Sequence, residues 1–226
     1  MTPGGPLLTP TADEREAAER AADVLATAVD ASRAVHGRAH LALSGGSTPR
    51  LAYQLLGPKL PAWDDVHIWF ADERCVGPDD PESNARLVRE TLEAPGATVH
   101  RIQGELGPDA AARAYAEELG DAVFDAILLG MGPDGHTASL FPYNPALDAD
   151  GTVVGVRDAP KPPPERVSLS LEALNSAHRL VLLVTGTEKA PMLARVIAGV
   201  DPEVPASLLE RDRLEIIADR AALADG

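Results

Sequence analysis

The sequence predicts an α/β fold: one domain in three layers, a mostly parallel central sheet with helices on both faces. Short apolar runs alternate with helical segments along all 226 residues, the pattern of βαβ units rather than of hairpins. Hydrophobic residues make up 45% of the chain, enough for a sizeable core. No linker or internal repeat divides it, so residues 1–226 read as a single domain.

The elements follow in order. Residues 11–36 form an expected helix, with Thr11 and Glu14 at capping-box spacing and apolar positions recurring until Gly37. "AHLAL" (39–43) is a strand, and Pro49 is placed to open a helix through Leu56. "VHIWFA" (66–71) is a second strand ending in "DER", and Ser83 is placed to cap a helix through Leu92. "TVHRI" (98–102) reads as a strand and 108–120 as an alanine-rich helix. "FDAILLGM" (124–131) is the third clear strand; "TVVGV" (152–156) and "RVSLSL" (166–171) are weaker ones. "HRLVLLVTG" (178–186) is strong, with a helix from Glu188 to Ala198 after it. "LEIIAD" (214–219) closes the sheet before a short terminal helix.

Composition excludes several classes of function. The formal charge is −15, from 35 acidic and 20 basic residues, which argues against a nucleic-acid partner. No apolar run is long enough to span a bilayer, so no membrane is expected. "MTPGGPLLTPTADERE" lacks the basic and apolar segments of an export signal. A lone Cys75 suits a reducing cytoplasm. Prolines and glycines mass only in the first ten residues and in "APKPPPER" (159–166), an exposed, stiff loop. Monomer and small homo-oligomer both remain open.

In open α/β sheets, ligands bind beyond the carboxyl ends of the strands, so the residues there carry the functional argument. After the first strand, "SGGSTP" (44–49) offers Gly45, Gly46, Ser47 and Thr48 ahead of a helix start, a cradle for an anion. It would equally serve as a plain strand-to-helix turn, and it is neither a Walker A motif nor a dinucleotide fingerprint. After the second, "ADERC" brings Asp72 and Arg74, a binding pair or a solvated turn. Cys75 has no histidine partner in the sequence to make it a nucleophile. After the third, "GMGPDGH" places Asp134 two residues before His136, a side chain suited to proton transfer near neutral pH. No H-x-x-x-H or C-x-x-C spacing suggests a metal. After the 178–184 strand, Lys189 sits at a helix opening; Arg166 leads a β-run after the proline loop, and "VPASLL" (204–209) adds a serine near a helix start. Four strand ends thus carry anion-binding or proton-transfer groups. Together they point to a small phosphorylated substrate, and local donors in a cleft can attract it whatever the total charge.

The series "LALSGGSTPRLAYQLL", "WFADERCVGPDDPESNARLVRETL", "ILLGMGPDGHTASLFP", "RVSLSLEALNSAHRLVLLVTGTEKAPML" and "VPASLL" resembles the 6-phosphogluconolactonases of the glucosamine-6-phosphate deaminase-like superfamily over nearly the whole chain. The resemblance implies hydrolysis of 6-phospho-D-glucono-1,5-lactone to 6-phosphogluconate, the second step of the oxidative pentose phosphate pathway, with no metal or organic cofactor. It implies His136 as general base beside Asp134, with Asp72 and Arg74 at the ring end of the sugar. Gly45–Thr48, Arg166 and Lys189 would hold the phosphate, and Arg74 or backbone N–H groups would meet the oxyanion.

Two rivals belong to the same resemblance. The deaminases carry a glutamate five residues after the histidine, in an N-E-P context; here that place holds Phe141, within "SLFPY". Sugar-phosphate sensors that borrow this fold add a DNA-binding segment, and neither the acidic first helix nor the net charge suits one.

Overall fold

The computed structural model describes residues 5–224. The strands are β1 (Leu7–Thr11), β2 (Ala39–Leu43), β3 (Val66–Phe70), β4 (Asp72–Arg74), β5 (Thr98–Val99), β6 (Ala126–Gly130), β7 (Val153–Val156), β8 (Arg166–Leu169), β9 (Leu180–Val184) and β10 (Leu214–Asp219). The helices are α1 (Glu14–His36), α2 (Ser47–Leu56), α3 (Asn84–Thr91), α4 (Pro108–Leu119), α5 (Leu171–Asn175), α6 (Ala190–Ala198) and α7 (Arg220–Leu223). Seven strands make one all-parallel sheet, ordered β1-β10-β9-β6-β2-β3-β5. Helices flank it, giving the expected single-domain α/β fold.

The central strands are buried on both faces, which is why they read as unbroken apolar runs rather than as alternations. Leu128, Leu129, Leu182 and Leu183 are wholly inaccessible to solvent. Burial of each such side chain is worth about 1.5–3 kcal/mol. One hydrophobic cluster runs continuously from α1 to α7.

The structure departs from expectation at four places. The proline- and glycine-rich start contains β1, paired in parallel with β10 from Leu7↔Glu215 to Thr11↔Asp219. As an edge strand it tolerates Pro10 and buries only its last residue, so it leaves no periodic signal. Thr11 therefore ends a strand instead of capping a helix, and its hydroxyl donates to Ala218 O. The cap of α1 is Asp13, two residues later than expected; it accepts from Glu16 N, while the Glu16 carboxylate reaches back past the cap to accept from Ala12 N.

The other departures lie near the carboxyl ends. Helix α2 opens at Ser47, two residues before Pro49. Only Thr98 and Val99 of the 98–102 run are β, paired with β3. The runs 153–156 and 166–169 join no parallel sheet. With β4 they form a separate antiparallel sheet, ordered β4-β8-β7, beside the carboxyl end of β3.

The strand order locates the ligand site. The chain runs outward from β2 through β3 to β5, then returns to place β6 on the other side of β2. The order thus reverses between β2 and β6, a topological switch point. β9, β6, β2 and β3 are contiguous, so the loops after all four open side by side.

Candidate active site

A cleft of about 340 Å³ lies over those four strand ends. Its walls include Gly45, Gly46, Ser47, Thr48, Asp72, Arg74, His136, Arg166 and Lys189, all singled out in the sequence. Asp134 stands behind His136, outside the lining.

Strand β6, buried as far as Leu129, delivers its last residue, Gly130, to the cleft, and the chain turns at once. Gly132 N donates to His136 O and Gly135 N to Gly132 O, which winds 132–136 into a compact loop. Nδ1 of His136 lies 2.5 Å from Oδ1 of Asp134. Nε2 makes no hydrogen bond among the described residues. Burial pushes the Asp134 carboxyl up, but the hydrogen bond and charge of His136 outweigh it and hold it below the usual carboxylate range. A Cβ on Gly132 would fall on the imidazole and on the Asp134 carboxylate, so only glycine leaves the pair room. Segment 204–207 supports the loop from below, with Ala206 N donating to Gly135 O. Its Ser207 is bonded to the backbone of Asp201 and lies outside the cleft lining.

Strand β4 explains how "DER" divides its labour. Alternate residues of a strand face opposite ways, so Asp72 and Arg74 share the cleft side and Glu73 does not. Glu73 is buried and accepts from Arg74 N, Ser83 Oγ, Asn84 N and Ala85 N, which ties α3 to β4. Burial raises its carboxyl pKa against these four hydrogen bonds. Asp72 accepts from Ser139 Oγ at 2.6 Å. The Cys75 thiol is pushed up to about 11, first by burial and then by Glu165 and Glu73, so the nucleophilic thiolate is scarce at neutral pH.

At the other end of the cleft, Lys189 Nζ lies 3.3 Å from Thr48 Oγ1, next to the start of α2. Burial lowers the Lys189 pKa, and Lys161, a nearby like charge, adds to that while Glu188, Glu14 and Asp219 oppose it. Arg166 is 5% exposed. Its Nε donates to Pro163 O and its Nη2 to Lys161 O, so this side chain also fastens the proline loop. That loop carries Lys161 to the cleft, a cation hidden in the sequence by the prolines around it. Burial, reinforced by Arg74, lowers the Arg166 pKa, with Asp72 opposing.

The charges in this cleft are unusual for so acidic a chain. Among the described residues, no ion pair involves Arg74, Arg166 or Lys189. Three half-buried or buried cations thus face one cavity, and the carboxylates that line it, Asp72 and Glu82, make no ion pair with them. No group of three or more His, Cys, Asp or Glu side chains is placed to hold a metal among the described residues.

The family model described as glucosamine-6-phosphate isomerases/6-phosphogluconolactonase matches residues 12–218. The chain belongs to this family. A 6-phosphogluconolactonase of Mycobacterium tuberculosis is 39% identical over 222 residues, covering 88% of this chain and 90% of the relative. The crystal structure of a 6-phosphogluconolactonase from Shewanella baltica superposes with a TM-score of 0.87 at 29% identity, covering 96% of this chain and 98% of that one. A monomeric glucosamine-6-phosphate deaminase has a TM-score of 0.81 at 21% identity over 96% of this chain and 98% of its own, which shows a shared fold and no more.

Phe141, five residues after His136, packs against it. It is 1% exposed, with its ring 4.5 Å from the His136 ring and 5.3 Å from the Arg166 guanidinium carbon. An apolar ring fills the space beside the imidazole. Glu82, Asn84 and Lys161 are among the cleft residues missed in the sequence, Asn84 because it reads simply as the first residue of a helix.

Proposed function

We propose that this chain hydrolyses 6-phospho-D-glucono-1,5-lactone to 6-phosphogluconate, with His136 activating the water. Its relatives bear the name of that activity, and the residues fit its demands. The observation that carries the reading is the juxtaposition of an Asp134–His136 pair with three unpaired cations in one cleft.

The phosphate end would lie at Thr48 and Lys189, with Arg166 and the N–H groups of Gly46 and Ser47 beside it. Clamping the phosphate there positions C1 without touching it. Asp134 holds the imidazole through Nδ1, so Nε2 takes a proton from water as the oxygen attacks the lactone carbonyl. Negative charge then gathers on the carbonyl oxygen, where Arg74 or backbone N–H groups stabilise it. As the C1–ring oxygen bond breaks, His136 returns the proton to that oxygen, and the new carboxyl group ionises into solvent. No metal or organic cofactor enters this scheme.

Phe141 favours a lactonase over a deaminase, since ring opening of an amino sugar has no carboxylate at that position. No helix among the described residues is long and apolar enough to cross a membrane. A cytoplasmic monomer or small homo-oligomer without nucleic-acid partners is the setting consistent with the charge of −15 and a single cysteine. The test is a coupled assay on freshly generated lactone, with spontaneous hydrolysis subtracted. A rate no greater than the spontaneous one would refute the activity.

A further inference from the structure

Asn84, the first residue of α3, is 1% exposed and lines the cleft between Asp72 and Arg74. Its amide nitrogen donates to Asp72 O at 2.8 Å and to Asp72 Oδ1 at 3.2 Å. Its amide oxygen accepts from Arg74 Nη1 at 2.8 Å, a nitrogen that also donates to Glu82 O. The amide therefore satisfies an anion with one end and a cation with the other. Asp72 and Arg74, two residues apart on the same side of β4, make no ion pair with each other among the described residues.

The pose of this amide is held from two directions. The Glu73 carboxylate accepts both Arg74 N and Asn84 N, locking the backbone of β4 to that of α3. Across the cleft, the amide lies so close to Gly45 that any Cβ there would collide with it. The glycine loop after β2 thus packs on the same side chain that orients the two charges after β3.

We propose that Asn84 is a positioning residue: it separates Asp72 from Arg74, so that the carboxylate, which also accepts from Ser139 Oγ, keeps lone pairs for sugar hydroxyls and the guanidinium keeps donors for the carboxylate or oxyanion end of the ligand. Without it the two charges collapse into a mutual ion pair and the ring end of the site is lost, while the phosphate end at Thr48 and Lys189 is untouched. The amide is the required group, because a carboxylate of the same shape has no donor for Asp72 and would itself capture Arg74. This inference deepens the lactonase reading and rests on it for the ligand class.

Calorimetry with two probes tests it, using 6-phosphogluconate and inorganic phosphate on the wild type, Asn84→Asp, Asn84→Ser and Gly45→Ala. For each variant 6-phosphogluconate is expected to bind about tenfold or more weakly than to wild type, as befits loss of hydrogen bonds to charged groups. Inorganic phosphate should stay within about twofold for the two Asn84 variants; Gly45 belongs to the phosphate loop, so Gly45→Ala is read through 6-phosphogluconate and through its coupling to Asn84. Gly45→Ala displaces the amide from the opposite wall with Asn84 itself unchanged, so the test survives if a substitution at 84 prevents folding. The Gly45→Ala loss should also be non-additive with Asn84→Ser, since the shorter side chain removes the collision. Wild-type affinity for 6-phosphogluconate in any folded variant, or an equal loss for both probes in a folded Asn84 variant, overturns the proposal. A wild type that binds 6-phosphogluconate yet leaves the lactone hydrolysing at its spontaneous rate would instead sink the activity alone.

Discussion

Nδ1 of His136 is committed to Asp134 at 2.5 Å, and Nε2 alone is left for chemistry. A carboxylate only accepts, so Nδ1 is the donor in this pair, and in the neutral imidazole the lone pair then falls on Nε2 of a side chain that lines the cleft. His136→Ala should lower lactone hydrolysis by at least about 100-fold while 6-phosphogluconate still binds. Asp134→Asn should lower it about 10-fold or more with KM little changed. Steady-state kinetics on fresh lactone check both, and near-normal turnover in His136→Ala would remove that residue from the base role.

Gly132 gives the same pair its space. Gly132→Ala puts a methyl group where the imidazole and the Asp134 carboxylate now lie, so one of them must move. The atoms the methyl meets belong to side chains that can swing aside, so thermal stability should shift little. Turnover should nonetheless fall toward that of Asp134→Asn. A Gly132→Ala enzyme with full kcat would show that the pair tolerates displacement.

Burial holds the Lys189 pKa below the usual lysine value, which gives phosphate binding an alkaline limit. The sign follows directly. Below its pKa Lys189 is charged and attracts the phosphate; above it the side chain is neutral and the attraction is lost. Affinity for 6-phosphogluconate should therefore weaken as pH rises through a range below about 10.4, earlier than an ordinary lysine would allow. Lys189→Arg should move that limit upward. Lys189→Ala should raise KM with kcat less affected. Calorimetry from pH 7 upward measures the limb, and a flat profile in the wild type would contradict it.

Cys75 sits one residue after Arg74 and takes no part in this scheme. With its thiol pushed to about 11, only a very small fraction is thiolate near neutral pH. Cys75→Ser should leave turnover within about twofold, and iodoacetamide should inactivate slowly at most. Rapid inactivation, protected by 6-phosphogluconate, would bring the thiol back into the mechanism.

The doubly buried strands were legible because burial on both faces imposes a compositional mark: β2, β3, β6, β9 and β10 read as apolar runs whatever their neighbours. β1 was not, since an edge strand with one buried residue needs no such mark. Nor was the antiparallel sheet, because nothing in "RVSL" or "VVGV" says which strand it will meet. Nine of the ten chosen residues line the cleft, yet Asn84 and Lys161 went unseen. Both have their meaning only through partners distant in sequence or hidden by a loop.

By itself, then, the sequence determined which residues end each strand and which chemistry they carry: a glycine-rich donor loop, an acid and a guanidinium, a histidine with its aspartate, and a lysine. Those are local properties, set by side-chain type and by turns a few residues long. Only the tertiary structure decided that four strand ends stand side by side. The order of a parallel sheet is chosen by long-range packing, and here it reverses between β2 and β6. It decided as well that Asp72 and Arg74 stay unpaired, because the amide between them comes from another element.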